Sequence, residues 1–369
     1  MQYEARSRGD LISASHSGCL QSGAAQGTVS RRGILKSLSV AGMGMGLGIS
    51  TGTVTLGSAG EATFEAGSSL PTLPTSAAIF ADSSGSNPAE PFGYSLNTAT
   101  IMGFKLPVPE QISIAAKAGY QGIELWIRDI EQFVSSGKSL KEIRKQIEDS
   151  GLQVTGAIGF CAWAAEDDSQ RAKALEQLRR EMDWVSQVGG KTIAAPPAGI
   201  NQIPNIDLRR IAERYRTILE LGELLGVVPQ LEIWGASLNL SRVSEALFVA
   251  IECGHPRATV LLDAYHMYRG GSSFESLRLV NGAAMTLFHL NDYPADPPRE
   301  KITDAYRVFP GDGVAPLSQL LRLLHETGFR GMLSLELFNR QYWQGDPLEV
   351  AKLGLAKMKT SVRNALEAT

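Results

Sequence analysis

From residue 92 onward, short apolar runs alternate with longer stretches whose apolar positions recur every three to four residues. A continuous apolar run of a few residues suits a strand buried on both faces, and the longer recurrence suits a helix with one face covered. The pattern predicts strands at 94–98, 122–127, 153–160, 192–195, 230–234, 259–265, 286–291 and 332–338. Each is followed by a predicted helix, at 108–118, 140–150, 169–188, 207–225, 241–253, 274–279, 316–327 and 347–365. Gly119, Gly151, Gly189, Gly226, Gly254 and Gly328 sit just after helical segments, where terminating glycines belong. Eight strand–helix pairs predict an α/β fold of one domain, a (β/α)8 TIM barrel over 92–369. A doubly wound sheet would need a glycine-rich phosphate loop after its first strand, and Ser95-Leu96-Asn97-Thr98 supplies none.

The first ninety residues follow a different pattern. Ser30-Arg31-Arg32-Gly33-Ile34-Leu35-Lys36 has the form of a twin-arginine export signal, in which the pair precedes an apolar stretch. Residues 37–60 carry no charge and are rich in Gly, Ala, Leu and Met, which reads as a signal core rather than a spanning helix. Residues 1–60 are therefore expected to be an export signal region, and 61–91, rich in Ser, Ala, Pro and Gly, a flexible linker. That reading places the protein in the periplasm or outside the cell, with the cytoplasm as the alternative if the pair arose by chance. No cysteine follows the apolar run, so a stable membrane anchor is not expected.

Composition adds mainly exclusions. The 369 residues carry a formal net charge of −3, with no basic block beyond the N-terminal region. This balance argues against a nucleic-acid partner held through its phosphates. Cys161 and Cys253 fall on different predicted elements and are expected to be free thiols. Homo-oligomerisation is left open.

The chemistry gathers in the second half. Glu232, Asp263, His289 and Glu336 each end or nearly end a predicted strand, at spacings of 31, 26 and 47 residues. Strand C-termini of such a barrel converge on the face that carries active sites. Carboxylates inside apolar runs such as Leu-Glu-Ile-Trp and Ser-Leu-Glu-Leu are unfavourable unless paired or bound to a cation. Three carboxylates and one imidazole suit one divalent metal ion, Mn, Mg, Co or Zn. His266, three residues past Asp263, and Arg307, in the loop Arg-Val-Phe-Pro-Gly-Asp-Gly, are candidates for substrate contacts. Glu124 is a candidate for either substrate hydroxyls or a structural ion pair. Trp126, Trp163, Trp234 and Trp343 follow strands, where they either wall a sugar-sized pocket or cap the barrel core.

Together these motifs, over roughly 93–366, resemble the xylose isomerase-like TIM-barrel superfamily. The resemblance is to its sugar isomerase and epimerase branch, with the tagatose 3-epimerase, hydroxypyruvate isomerase and inosose dehydratase groups. The motifs that carry it are Leu-Glu-Ile-Trp-Gly, Asp-Ala-Tyr-His, Phe-His-Leu-Asn-Asp, the Arg…Pro-Gly-Asp-Gly loop and Ser-Leu-Glu-Leu-Phe-Asn. It implies that Glu232, Asp263, His289 and Glu336 hold the metal. It further implies that Glu232 and Glu336 are the acid/base pair and that His266 and Arg307 contact substrate oxygens. The expected reaction is isomerisation or epimerisation of a sugar or small keto acid through a metal-stabilised enediolate. A dehydratase on the same site is the main alternative. A sugar-binding barrel without turnover and an AP endonuclease-like nuclease rank lower. The nuclease would need further His ligands on the second and third strands and an Asp-x-His in the seventh loop. Here those places hold Glu124, Gly-Phe-Cys-Ala-Trp and Arg307-Val308-Phe309. No Lys/Arg cluster with a phosphate nest is present, which favours an unphosphorylated substrate.

Overall fold

A computed structural model describes residues 91–367 of the chain. The export signal expected over 1–60 and, apart from Pro91, the linker expected over 61–91 lie outside the described residues.

Eight strands form the barrel wall: β1 (Gly93–Asn97), β2 (Gly122–Trp126), β3 (Gln153–Ile158), β4 (Thr192–Ala195), β5 (Val228–Glu232), β6 (Val260–Asp263), β7 (Leu287–Leu290) and β8 (Met332–Leu335). They run in the order β3-β2-β1-β8-β7-β6-β5-β4, and neighbouring strands are parallel. At the seam between β3 and β4, the Thr192 hydroxyl donates to the Thr155 carbonyl at 3.0 Å. The sheet is a nearly closed barrel with helices around it, as the alternating pattern predicts.

The surrounding helices are α1 (Val108–Ala118), α2 (Ile127–Ser135), α3 (Leu140–Asp149), α4 (Asp168–Gln187), α5 (Leu208–Leu225), α6 (Val243–Glu252), α7 (Ala264–Gly270), α8 (Leu317–Glu326) and α9 (Pro347–Leu366). Their apolar stripes cover the outside of the barrel: Ile112 and Ala115 of α1, Ile218 and Leu219 of α5, and Leu320 and Leu324 of α8 are all buried. A fully buried side chain of this size contributes about 1.5–3 kcal/mol relative to exposure. None of the described helices is long and apolar enough to cross a membrane.

Two helices were not expected from the sequence. In α2 the buried positions Ile127, Ile130 and Phe133 are outnumbered by polar residues, so the apolar stripe is narrow. In α7 the chain turns directly from strand into helix. The sixth strand, expected to reach residue 265, stops at Asp263 because that side chain becomes a helix cap, its Oδ1 accepting from the His266 N–H at 2.8 Å. The segment 274–279 is a 3-10 turn rather than an α-helix.

Register decides which side chains meet. Asp263 pairs with His289 across β6 and β7, and His289 pairs with Ser334 across β7 and β8. Alternation along a strand then puts Glu336 on the same face as Ser334. On the other side of the barrel Asn97 pairs with Glu124. A ring of polar side chains therefore lines the interior near the C-terminal ends of the strands, above the smaller apolar cluster that includes Leu261, Leu287 and Met332.

Candidate metal and catalytic site

Asp263, His289 and Glu336 each offer one ligand atom, and these atoms all lie within 4.8 Å of one another. His289 Nδ1 is 3.4 Å from Glu336 Oε2 and 3.8 Å from Asp263 Oδ2, and it has no hydrogen-bond partner. A cation about 2.0–2.2 Å from each donor sets neighbouring donors roughly 3–3.5 Å apart, so the trio fits with little adjustment. Glu232, expected as a fourth ligand, is not part of this trio. It lines the adjoining cavity, buried, with Oε2 unpartnered. An orphaned imidazole nitrogen and an orphaned carboxylate oxygen at a buried acidic cluster are what a divalent cation would satisfy.

The far edge of the His289 ring is held by Glu124. Nε2 lies 3.0 Å from Glu124 Oε2, which also accepts from Asn97 Nδ2 at 2.8 Å and from the Ser334 hydroxyl at 2.9 Å. Glu124 is thus placed behind the imidazole, away from the residues that line the cavity. It pairs with His289, as the structural alternative for this residue allowed. An Nε2–H donated to this carboxylate leaves Nδ1 as the ring nitrogen toward Asp263 and Glu336, able to bind a cation once it has shed its own proton. Gly156 makes room for the arrangement, since a Cβ there would lie 3.0 Å from Glu124 Oε1.

The carboxylates sit in contrasting environments. Burial pushes Glu232 up to about 8; the His289 charge opposes this, while Glu336, Asp263 and Glu124 add to it. Burial also raises Glu336, against the pull of His289 and Arg307. Asp263 is held below the ordinary carboxylate range. Burial works against this, but the charges of Arg307, His266 and His289 outweigh it. For His289, burial favours the neutral ring, yet the charges of Glu336 and Glu124 and the Glu124 hydrogen bond lift it to about 10.

Arg307 is fully buried, and its NH1 donates to Asp263 Oδ2 at 2.9 Å and to Glu336 Oε2 at 2.7 Å. NH2 donates to Asp304 at 2.5 Å and faces His266 Nε2 at 3.0 Å. His266 Nδ1 in turn receives the Gly235 N–H at 3.2 Å. A neutral imidazole accepts at one nitrogen only, so both contacts cannot be full hydrogen bonds at once. Burial, then the Arg307 charge, push His266 down to about 4, which leaves it neutral near pH 7.

These groups face a cavity of about 370 Å³. Trp126 and Trp234 line it, as the pocket-wall reading anticipated. Trp163 and Trp343 are not among the lining residues: Trp163 is buried and donates to the Pro196 carbonyl at 2.7 Å, and Trp343, half-buried, donates to the Thr100 carbonyl at 3.0 Å.

Four polar residues of the site went unread in the sequence. Asn97 bridges Glu124 and Glu336, and its Oδ1 accepts from the Trp126 indole at 2.9 Å. Asn291 donates to Asp263 Oδ2 at 2.9 Å. Asp304 pairs with Arg307. Asp292 accepts from the backbone N–H groups of Tyr293, Gly311, Gly313 and Ala315 and so fixes the loop that carries Arg307. The sequence signals were faint. Asn97 lies at the end of the first strand, and Asn291-Asp292 follows the His289 strand at once.

Comparison with known proteins agrees with this geometry. The family model described as xylose isomerase-like TIM barrel matches residues 112–361. An inosose isomerase of Bacillus velezensis is 23% identical over 238 residues, 64% of this chain and 85% of that protein. A 3-dehydroshikimate dehydratase of Pseudomonas putida is 24% identical over 254 residues, 66% of this chain but only 38% of that longer protein. Among solved structures, an IOLI protein with a bound zinc atom superposes with a TM-score of 0.67 at 22% identity, covering 74% of this chain and 99% of that one. An L-ribulose 3-epimerase superposes with a TM-score of 0.61 at 18% identity, covering 75% of this chain and 96% of that one.

Proposed function

The chain belongs to the xylose isomerase-like TIM-barrel family, and on that premise we propose that it is a divalent-metal-dependent isomerase or epimerase of a sugar-like ketone, working by proton transfer. Its relatives include isomerases, epimerases and a dehydratase, which supports an enzyme of this broad kind. The observation that carries the finer reading is the buried Asp263–His289–Glu336 trio with an unpartnered Nδ1, beside a Glu232 carboxyl raised to about 8.

Asp263, His289 and Glu336 would hold the metal, with Glu232 as the fourth donor or as a base beside it. A bound divalent cation would supply Lewis-acid polarisation of a substrate carbonyl, worth several kcal/mol in the transition state. The protein's own groups then move the proton. Burial makes Glu232 a stronger base than an ordinary carboxylate, and once ionised, as a neighbouring cation would favour, it takes the proton from the carbon beside the carbonyl. Return of that proton to the neighbouring carbon gives isomerisation. Delivery from Glu336 to the opposite face of the original carbon gives epimerisation. His266, neutral near pH 7, and Arg307 hold substrate oxygens, and the aromatic wall keeps water from the carbanionic centre.

The test is proton exchange in deuterated water with a panel of cyclic and open-chain ketones. Deuterium at a carbon next to the carbonyl supports the reading. Loss of water from the substrate without exchange moves the assignment to the dehydratase that the Pseudomonas relative represents. No change in any ketone removes it.

A further inference from the structure

The cavity is lined by the polar side chains Glu232, His266, Arg307 and Glu336 and by aromatic rings supplied by separate strand ends. Phe160, just past β3, lies 5.2 Å from the Trp126 ring at 58° and 5.8 Å from the Trp234 ring at 50°. These are tilted ring contacts, so the three rings form one continuous aromatic stretch of the cavity lining. Phe160 is 48% exposed, and a phenyl group left half in water inside a cavity is a surface that a ligand would cover. Trp126 is fixed in place: its indole N–H is bonded to Asn97, and the Arg128 guanidinium lies 4.8 Å from its ring centroid. Trp126 is buried and also packs in the apolar cluster of the barrel interior, whereas Phe160 and Trp234 lie outside that cluster.

Asn201 and Gln202, both with amide side chains, are also among the lining residues. Flat aromatic faces next to amide groups match a sugar ring, which presents a C–H face to stack and a hydroxyl edge to hydrogen-bond. Arg307 is the only cationic side chain among the lining residues, and it is already paired with Asp263, Asp304 and Glu336. A phosphate or carboxylate on the ligand would find Glu232, Asp304 and Glu336 instead of a free cation.

We propose that Trp126, Phe160 and Trp234 form a second subsite for an uncharged sugar ring attached to the unit that carries the reacting ketone. The substrate class is then a glycosylated ketone, larger than a single hexose and not phosphorylated. This rests on the proton-transfer reading for the reaction but not for the binding. Phe160 and the two tryptophans determine specificity and touch no reacting atom.

The experiment has two readouts on wild type and Phe160→Ala: quenching of tryptophan fluorescence on titration, and deuterium exchange. The ligands are D-fructose, its glycosylated forms isomaltulose and lactulose, fructose 6-phosphate and 2-phenylethanol. At least tenfold tighter half-saturation by a glycosylated ketose than by fructose is expected, falling to within about twofold in Phe160→Ala while circular dichroism and bound metal per chain stay as in wild type. Equal half-saturation by fructose and its glycosylated forms, or a preference that survives Phe160→Ala, overturns the subsite. Binding of 2-phenylethanol as tightly as the disaccharides overturns the sugar-ring assignment, and tightest binding by the phosphate ester overturns the uncharged one. Selective binding without exchange in any ligand supports the subsite and refutes the proton-transfer reading, so the two failures are separable.

Discussion

His289 Nε2 and Glu124 Oε2 lie 3.0 Å apart on the edge of the imidazole opposite Asp263 and Glu336. The pair ties β7 to β2 across the barrel interior, so Glu124 sets the orientation of the imidazole that faces Asp263 and Glu336. Partners of this kind typically change metal affinity by about 10–100-fold when lost. Glu124→Gln keeps the shape and removes the charge. Isothermal titration of the metal-free protein with Zn²⁺ or Mn²⁺ is expected to show affinity weakened at least about tenfold with an unchanged thermal transition of the metal-free fold. Unchanged affinity would show that Glu124 serves only the barrel interior.

Metal loading is expected to release protons. In the metal-free protein His289 holds its second proton up to about pH 10 and Glu232 up to about pH 8, and a ligand nitrogen or oxygen must shed its proton to bind. Affinity should therefore rise from pH 6 to pH 8. Calorimetry in two buffers of different ionisation enthalpy counts the protons. Glu232→Gln lowers that number by about one at pH 7 if Glu232 is a ligand, and leaves it unchanged if it is only a neighbouring base.

His266 gives a pH dependence of stability with the opposite origin. Its pKa is depressed from 6.5 to about 4 in the folded protein, chiefly by burial. Above pH 6.5 the ring is neutral in both folded and unfolded chains, so the stability is intact there. As pH falls toward 4 the unfolded chain takes up a proton that the folded chain refuses, and the folded state loses of the order of 3 kcal/mol across that window. Urea unfolding at pH 7 and pH 5 should show a smaller loss in His266→Gln than in wild type. Equal losses would mean that the folded protein protonates His266 readily.

Asp292 has no contact with the metal trio, yet its four backbone acceptor bonds shape the loop that delivers Arg307. Asp292→Ala removes the acceptor of one buried and three part-buried N–H groups and is expected to destabilise the fold by about 2 kcal/mol. The Michaelis constant should rise as Arg307 loses its fixed position, while metal per chain stays the same. Gly313→Ala should act similarly, because its Cβ would collide with the Asp292 carboxylate and the Tyr293 carbonyl.

The barrel was legible in the sequence because each strand is a continuous apolar run and each helix keeps its stripe. Where the stripe narrowed, as over Ile127, Ile130 and Phe133, the helix went unseen. The grouping of Asp263, His289 and Glu336 was legible because all three interrupt apolar strands, and a buried charge needs a reason. The polar residues that orient them were not. Asn97 and Asn291 carry no charge to stand out, and they act only because strand register brings them beside Glu124 and Asp263. Glu124 could be placed inside the barrel from its apolar flanks. Only the geometry puts it behind His289, away from the cavity-lining residues.

The most direct measurement is the metal content of the purified protein, by inductively coupled plasma mass spectrometry, for wild type and for His289→Ala and Glu336→Gln. One divalent ion per chain in wild type, reduced to a small fraction in both variants of unchanged circular dichroism, is the predicted result. Wild type that holds no divalent ion after equilibration with Mn²⁺, Co²⁺ or Zn²⁺, or variants that hold it as well as wild type, would contradict the account.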